Sequence, residues 1–450
     1  MKALKIIDNV MFQYLLPMLL GVLFLGVLYF YSDVTYSNLQ LPVGIYKHNI
    51  WHESDYLTYY RPAVNFLEYG VFGEEYMPDP LRTVGYPAFL SALIFLFREN
   101  WIYWAYFIQC LFIPLIYPSI YFIIKRVVNL KAARMVLMWS LLSGLYFGRL
   151  ISIGTDLVFL TLFLIALVSL IKYFETKGKA IFILLYILFL FLASEVRPTL
   201  IWFFAIHIPV VIYLDNRYRV FATVRRRRFF LLYSSIIIFL VTNIPSWRNY
   251  VHYGFFKPTT VLNANYVNHL SRYILDKEGQ SGRFDSIYKM QYEEKNYIKR
   301  MHLQNKIAVS IIQELPVGFI KVIIMNIKNV MLDNGITNQI GQYFNYNWRE
   351  YPGLAQSDCL FYSYFVFAGI YVIIYCFTFY GLYILIRRKK WNILIIVCML
   401  LATMLFPTFI FGSGGARLRM PVEWVLVTIA SYGYLSLRSK NLKEDPLGRA

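Results

Sequence analysis

Two aspartates stand where a helix should begin. In HESDYLTYYRPAVNFLEYG, His52–Gly70, Ser54 can cap a helix and place Asp55 in its first turn, with Glu53 two residues earlier. In ISIGTDLVFL, Thr155 takes the capping position and Asp156 opens the apolar run that follows. A first-turn carboxylate complements the helix dipole, an effect of about 0.3–1 kcal/mol, and that alone explains either residue. The chemical alternative is an acid held by a short helix beside a membrane. Tyr56, Leu57, Tyr60, Val64 and Leu67 recur at helical spacing, so the first segment should be amphipathic. Pro62 should kink it or start a second short helix, and Gly70 should end it.

Arginines gather near these acids. Arg82 lies in LRTVGYP, Arg149 at the end of an apolar run, and Arg197 in EVRPT beside Glu195. Arg248 follows Trp247 in IPSWRN, and Arg417 and Arg419 lie in GSGGARLRMP. Together they suit an anionic ligand, whereas singly each also suits solvent or lipid headgroups. Arg197 can equally pair with Glu195. For Arg417 and Arg419 the adjacent glycines allow a close backbone approach, which favours a functional role. His48 and His52 lie near Glu53 and Asp55, but their spacing matches no standard metal-ligand set.

The elements that must position these groups are membrane spans. Hydrophobic residues make up 58% of the chain and charged residues 15%, against about 25% charged in soluble domains. The net charge is +19, yet Lys and Arg cluster at the ends of apolar runs, which excludes a nucleic-acid-binding face and marks membrane topology. Ten spans are expected: Met11–Tyr31, Trp101–Ile124, Ala132–Leu150, Asp156–Ile171, Ile181–Ser194, Leu200–Leu214, Phe229–Pro245, Leu360–Ile386, Ile393–Ile410 and Val422–Leu437. The first follows Lys2 and Lys5 without a small-residue cleavage site and is read as an uncleaved span. Tyr86–Phe97 is too short to cross and should be interfacial or re-entrant. With this parity every short basic loop falls on one side, including Arg225 through Arg228, and both termini are cytoplasmic.

The organisation that follows has three parts. Residues 1–245 should form an N-terminal transmembrane module whose first outer loop, at 32–100, carries Asp55. Residues 246–359 form a non-cytoplasmic loop or small domain, and 360–450 hold the last spans and a cytoplasmic tail. Within the second part, Ile307–Leu332 reads as a helix on the membrane surface, broken at Pro316. The four cysteines match no zinc site or disulfide framework and read as small buried hydrophobes.

In order along the chain, SDYLTYYRPAVNFLEYG, RTVGYPAFLSALIFLF, GTDLVFLTLFLIAL, VRPT, IPSWRNYVHYGFF and RLRMPVEWVLVTIASYGYL resemble the GT-C superfamily of membrane glycosyltransferases. The similarity is greatest to bacterial relatives of protein O-mannosyltransferases and aminoarabinose transferases. The resemblance implies an all-α polytopic membrane protein, a GT-C bundle of about ten transmembrane helices with interfacial helices in its outer loops. It implies a polyprenyl-phosphate sugar donor and an inverting transfer to a lipid, glycan or protein acceptor on the non-cytoplasmic face. It makes Asp55 the catalytic base and Asp156 a second catalytic carboxylate, which in some relatives helps hold a divalent cation such as Mg or Mn. Arg82, Arg149, Arg417 and Arg419 would bind the donor phosphate. Glu53, Arg61, Tyr86, Arg197 and Arg248 would support the site. Two positions depart from the family pattern: Val84 replaces the first proline of its Arg-x-Pro-Gly-Tyr-Pro turn, and Asp156 stands where glutamate is frequent.

No Gly-rich phosphate loop or Rossmann fingerprint occurs, in keeping with a lipid-linked donor. Two other functions stay open: a lipid-linked polysaccharide polymerase or ligase, and a transporter or flippase of a lipid-linked or anionic substrate. The span interiors are nearly uncharged and no internal repeat is present, which weighs against transport. The lack of eukaryotic retention signals points to a bacterial inner membrane.

Overall fold

The computed structural model describes residues 8–9, 12–23, 56–74, 77–78, 80–143, 145–150, 154–294, 296–332, 358–411 and 418–438. A short apolar helix, α1 (Phe12–Leu23), is followed by α2 (Tyr56–Tyr69), which contains Pro62 without breaking. Gly70 ends α2 at φ 74°, its amide donating to the Phe66 carbonyl. Only glycine takes that left-handed value without strain. The buried face of α2 carries Tyr59 and Ala63, whereas Leu67 is exposed. The stripe is thus rotated by about one residue from the face that apolar spacing alone selects, because α3 packs against Tyr59 through Tyr86. After α2, β1 (Gly73–Glu74) and β2 (Met77–Pro78) form one two-residue antiparallel pair.

The next helices are α3 (Gly85–Phe97), α4 (Trp101–Val127), α5 (Leu130–Ser143), α6 (Asp156–Glu175), α7 (Ala180–Val196), α8 (Phe203–Tyr218) and α9 (Val224–Thr242). A 3-10 turn, Pro198–Trp202, leads into α8. A smaller unit comprises α10 (Ile244–Tyr253), α11 (Val261–Asn265), α12 (Arg272–Lys277), α13 (Ser281–Glu293), α14 (Tyr297–Glu314) and α15 (Pro316–Leu332). It has its own cluster of buried residues, including Val267, Ile274, Ile311 and Val322. The chain closes with α16 (Asp358–Arg387), α17 (Trp391–Met404), α18 (Phe406–Phe411) and α19 (Glu423–Arg438).

Among the described residues, five stretches are long and apolar enough to cross a membrane: Gly85–Val127, Asp156–Glu175, Pro198–Tyr218, Ala368–Arg387 and Trp391–Ile410. The number rises to seven if two bent helix pairs each count once. Of the ten spans expected, Met11–Tyr31 is described only from Phe12 to Leu23, its other residues lying outside the described ones, and further spans fall short for physical reasons. At about 1.5 Å per residue, the 14 residues of α5 reach only about 21 Å and the 16 of α19 about 24 Å. The predicted span Ala132–Leu150 ends early because the chain leaves α5 at Ser143 and coils into the 3-10 turn Phe147–Arg149. Phe229–Pro245 is divided: α9 starts at Val224, where Thr223 caps the Arg226 amide, and α10 departs from it at 49°. Ile307–Leu332 breaks at Leu315, where α14 and α15 meet at 103°. Cys110 is buried as expected, but Cys376 and Cys398 are exposed, being on outward faces of α16 and α17.

Contacts sort the helix ends into two poles. At one pole Arg134 Nε donates to Asp8 Oδ1 at 2.9 Å and Arg126 pairs with Glu175 at 2.6 Å. There too the Tyr213 hydroxyl reaches the Val127 carbonyl, and Lys177 reaches that of Tyr218. The N-terminal segment and the basic loops after α4, α6 and α8 therefore share one end, as charge parity requires. The C-terminal helices obey the same rule. Tyr371 meets Glu423, Thr378 meets Leu426, and Gly381 meets Ile429 and Gly433, so α16 and α19 run parallel. They cross on glycine: a Cβ at Gly433 would lie 2.4 Å from the Phe377 carbonyl oxygen.

Candidate functional site

The opposite pole collects groups that are far apart in sequence. Its centre is the turn from Arg82 to Tyr86. Gly85 lies directly on the end of α7, where an added Cβ would be 2.5 Å from the Glu195 carbonyl carbon. Only a residue without a side chain permits that approach. Thr83 donates its hydroxyl to the Val196 carbonyl at 3.4 Å. Val84, which departs from the family pattern, occupies the position before α3 in a helical conformation and makes no side-chain cap.

Arg82 is held from two sides. Its Nε donates to Thr58 Oγ1 at 3.0 Å, and its guanidinium lies 4.6 Å from the centre of the Tyr59 ring. Its own carbonyl accepts from Arg248 Nη2 at 3.1 Å. Arg248 also binds Asn249 Oδ1, and Asn249 Nδ2 donates to the Lys257 carbonyl. The segment after α10 is sewn to the same turn: the Thr260 amide reaches the Pro80 carbonyl at 2.9 Å and the Thr259 hydroxyl reaches that of Leu81.

Asp156 opens α6 as expected and is 2% exposed. Thr155 occupies the cap position, but its side chain makes no capping bond there. Instead Asp156 Oδ1 accepts from Arg197 Nη1 at 2.7 Å. The partner of Arg197 is thus Asp156 and not Glu195. The reason is helix geometry: α7 ends at Val196, and the extended backbone of Arg197 turns its side chain toward the start of α6. Tyr86 is fully buried, edge-on to Tyr59, beside Gly154 and within electrostatic reach of Asp156. Arg82, Tyr86, Asp156, Arg197 and Arg248 are therefore brought together, while Arg61 stays on the exposed face of α2.

Five of the expected residues lie elsewhere or outside the description. Asp55, Glu53 and Arg417 fall outside the described residues. Arg149 is buried in the 3-10 turn after α5. That turn packs on α4, where Tyr146 meets Tyr117 edge-on and the Leu150 carbonyl accepts from Gln109. Arg419, expected on donor phosphate, is completely enclosed. Its Nε contacts Glu423 Oε2 at 2.5 Å, and its Nη1 donates to the last carbonyls of α15, at Val330 and Met331. The guanidinium lies 4.1 Å from the Tyr371 ring centre, and Glu423 Oε1 accepts from Tyr371 and Trp139. A phosphate would have to dismantle that network to reach it. Arg419 ties α15 to α19, and cations commonly satisfy helix C-terminal carbonyls in this way.

Sequence reasoning passed over Thr58, Thr83, Gly85 and Thr259, which connect the turn to its neighbours. Their signal was present only in part: each lies within a quoted piece or a few residues beyond one. Glu195, read only as a partner for Arg197, is buried beside Arg248, and its Oε1 has no hydrogen-bond partner among the described residues. No group of three or more His, Cys, Asp or Glu suited to a metal ion occurs among the described residues. One oxygen of Asp156 is already committed to Arg197, so a divalent cation there would need acids from outside them. The arrangement can hold an anion beside an ordered carboxylate at the edge of an apolar bundle. Comparison with protein-family models, curated proteins and solved structures finds no match to this chain.

Proposed function

We propose that this protein is an inverting glycosyltransferase of the GT-C type, moving a sugar from a polyprenyl-phosphate donor to a lipid, glycan or protein acceptor. The observation that carries the proposal is the meeting of separate sequence pieces at one pole. RTVGYP, GTD, VRPT and IPSWRN contact one another although Arg82 and Arg248 are 166 residues apart. In this reading the basic pole faces the cytoplasm of a bacterial inner membrane and the Arg82–Arg248 pole faces outward, with about ten spans in all.

Asp55, just before α2, takes the acceptor proton as the nucleophile attacks the anomeric carbon. Such help is worth about 10²–10⁴-fold in rate. An ordinary aspartate is ionised at neutral pH and weakly basic, so the proton leaves late, after the new bond has begun to form. Arg82 and Arg248 offset the charge that develops on the leaving phosphate. Asp156 fixes Arg197 beside them, and the isoprenoid tail lies between helices.

The test compares purified wild type with Asp55→Asn on a panel of radiolabelled polyprenyl-monophosphate and -diphosphate sugars, with a crude lipid and glycan extract as acceptor. Transfer from a monophosphate donor, slowed at least about a hundredfold in the variant, is expected. Equal transfer by both proteins removes the base role. Turnover of diphosphate donors alone replaces the proposal with a polymerase or ligase.

A further inference from the structure

A cavity of about 130 Å³ runs between the helices, from Phe203 and Trp424 in the first turns of α8 and α19 to Val127, Leu214 and Ile393 near the basic pole. Six helices wall it, with Ile123 of α4, Leu167 of α6, Val210 of α8, Leu385 of α16, Ile396 of α17 and Val425 of α19. The hydroxyls of Tyr213 and Thr428, also in the wall, are turned to the carbonyls of Val127 and Trp424. Water would find few partners there, so the space suits a hydrocarbon chain or stays dry.

The charge around it is one-sided. Arg126 lies between the cavity-lining Ile123 and Val127 of α4, Lys172 follows the lining part of α6, Arg217 that of α8 and Arg387 that of α16, while Lys390 precedes that of α17. Among the described residues of this pole the acids are Asp8, Glu175 and Asp215, fewer than the cations. An apolar slot beneath a cationic rim complements a lipid with an anionic headgroup. We infer that the cavity holds one acyl chain of an anionic glycerophospholipid, seated between the α4–α6–α8 group and the C-terminal helices. The inference needs only the membrane location and stands whether or not the chain transfers sugars.

Native mass spectrometry of the full chain in detergent, with phosphatidylglycerol or phosphatidylcholine of identical chains, tests it. One phosphatidylglycerol should be retained under activation that strips phosphatidylcholine. Val210→Trp, which fills the slot, should weaken retention about tenfold or more. The double variant Arg217→Gln, Arg387→Gln should bring the two lipids near parity. A second measurement guards against misfolded variants: phosphatidylglycerol with brominated chains should quench tryptophan fluorescence with a saturable component that Trp424→Phe removes. Equal retention of the two lipids by wild type, unchanged retention in a folded Val210→Trp, or quenching without a saturable component overturns the inference.

Discussion

At the scale of single residues, the Asp156–Arg197 pair shows how burial sets the worth of a charge. Both partners lose water, and the 2.7 Å contact offsets that loss only while both are present. Removing one partner of such a buried pair costs about 3–5 kcal/mol, because the other charge is left uncompensated. Asp156→Asn should therefore lower the thermal midpoint in detergent strongly, as should Arg197→Gln. The double variant should lose clearly less than the sum of the two, the mark of direct coupling. Strictly additive losses would mean that Asp156 acts through other partners. The sequence placed Asp156 at a helix start and Arg197 at a helix end, but named Glu195 as the alternative partner. Two residues' separation looks closer than 41, and only the fold reverses that order.

At the scale of elements, the α16–α19 crossing depends on the absence of side chains. Inside a membrane, helices gain little from burying apolar surface against one another, since lipid is equally apolar. Close backbone approach at small residues supplies the attraction instead. Gly433 and Gly381 meet at 2.9 Å from a hypothetical Cβ to the amide nitrogen, so no larger residue fits without separating the helices. Gly433→Val should lower the thermal midpoint and shift α19, and with it Glu423 and Arg419. Gly369→Val, on α16 with Gly381 but facing open space, should change little. A midpoint unchanged by Gly433→Val would show that the crossing is not tight. The glycines were visible in the sequence, but nothing local distinguished Gly433 from Gly369.

At the scale of the whole molecule, the two poles carry different chemistry. The basic pole holds Asp8, ahead of α1, to α5 through Arg134. The hydrogen bond from Arg134 pulls the Asp8 carboxyl down to about 2 from 3.8, burial opposes it, and the Tyr121 hydroxyl assists. A carboxyl lowered on folding stabilises the folded state fully above its unfolded value, and that contribution is lost as pH falls through the folded one. The attachment of Asp8 to Arg134 should thus hold at neutral pH and weaken between about pH 4 and pH 2. Limited proteolysis near the N-terminus across that range should follow this course in wild type, and Arg134→Leu should be cleaved readily already at neutral pH. Equal protection of both at neutral pH would remove the pair from the docking.

The sequence by itself determined the apolar helices, the break at Pro316, the end of α2 at Gly70 and the sorting of basic loops to one pole. These follow from local causes: side-chain apolarity, a missing amide, a left-handed backbone and charge beside lipid. It also assembled in one list most of the residues that meet around Arg82. What only the tertiary structure decided was which of them touch. Arg149 went into a buried turn, Arg419 to the carbonyls ending α15 and Arg197 to Asp156, the last two because each guanidinium finds a partner on another helix. The span lengths were decided there as well. An apolar run records what lipid tolerates, whereas a helix ends where the chain turns, at Ser143 for α5 and at Thr242 for α9.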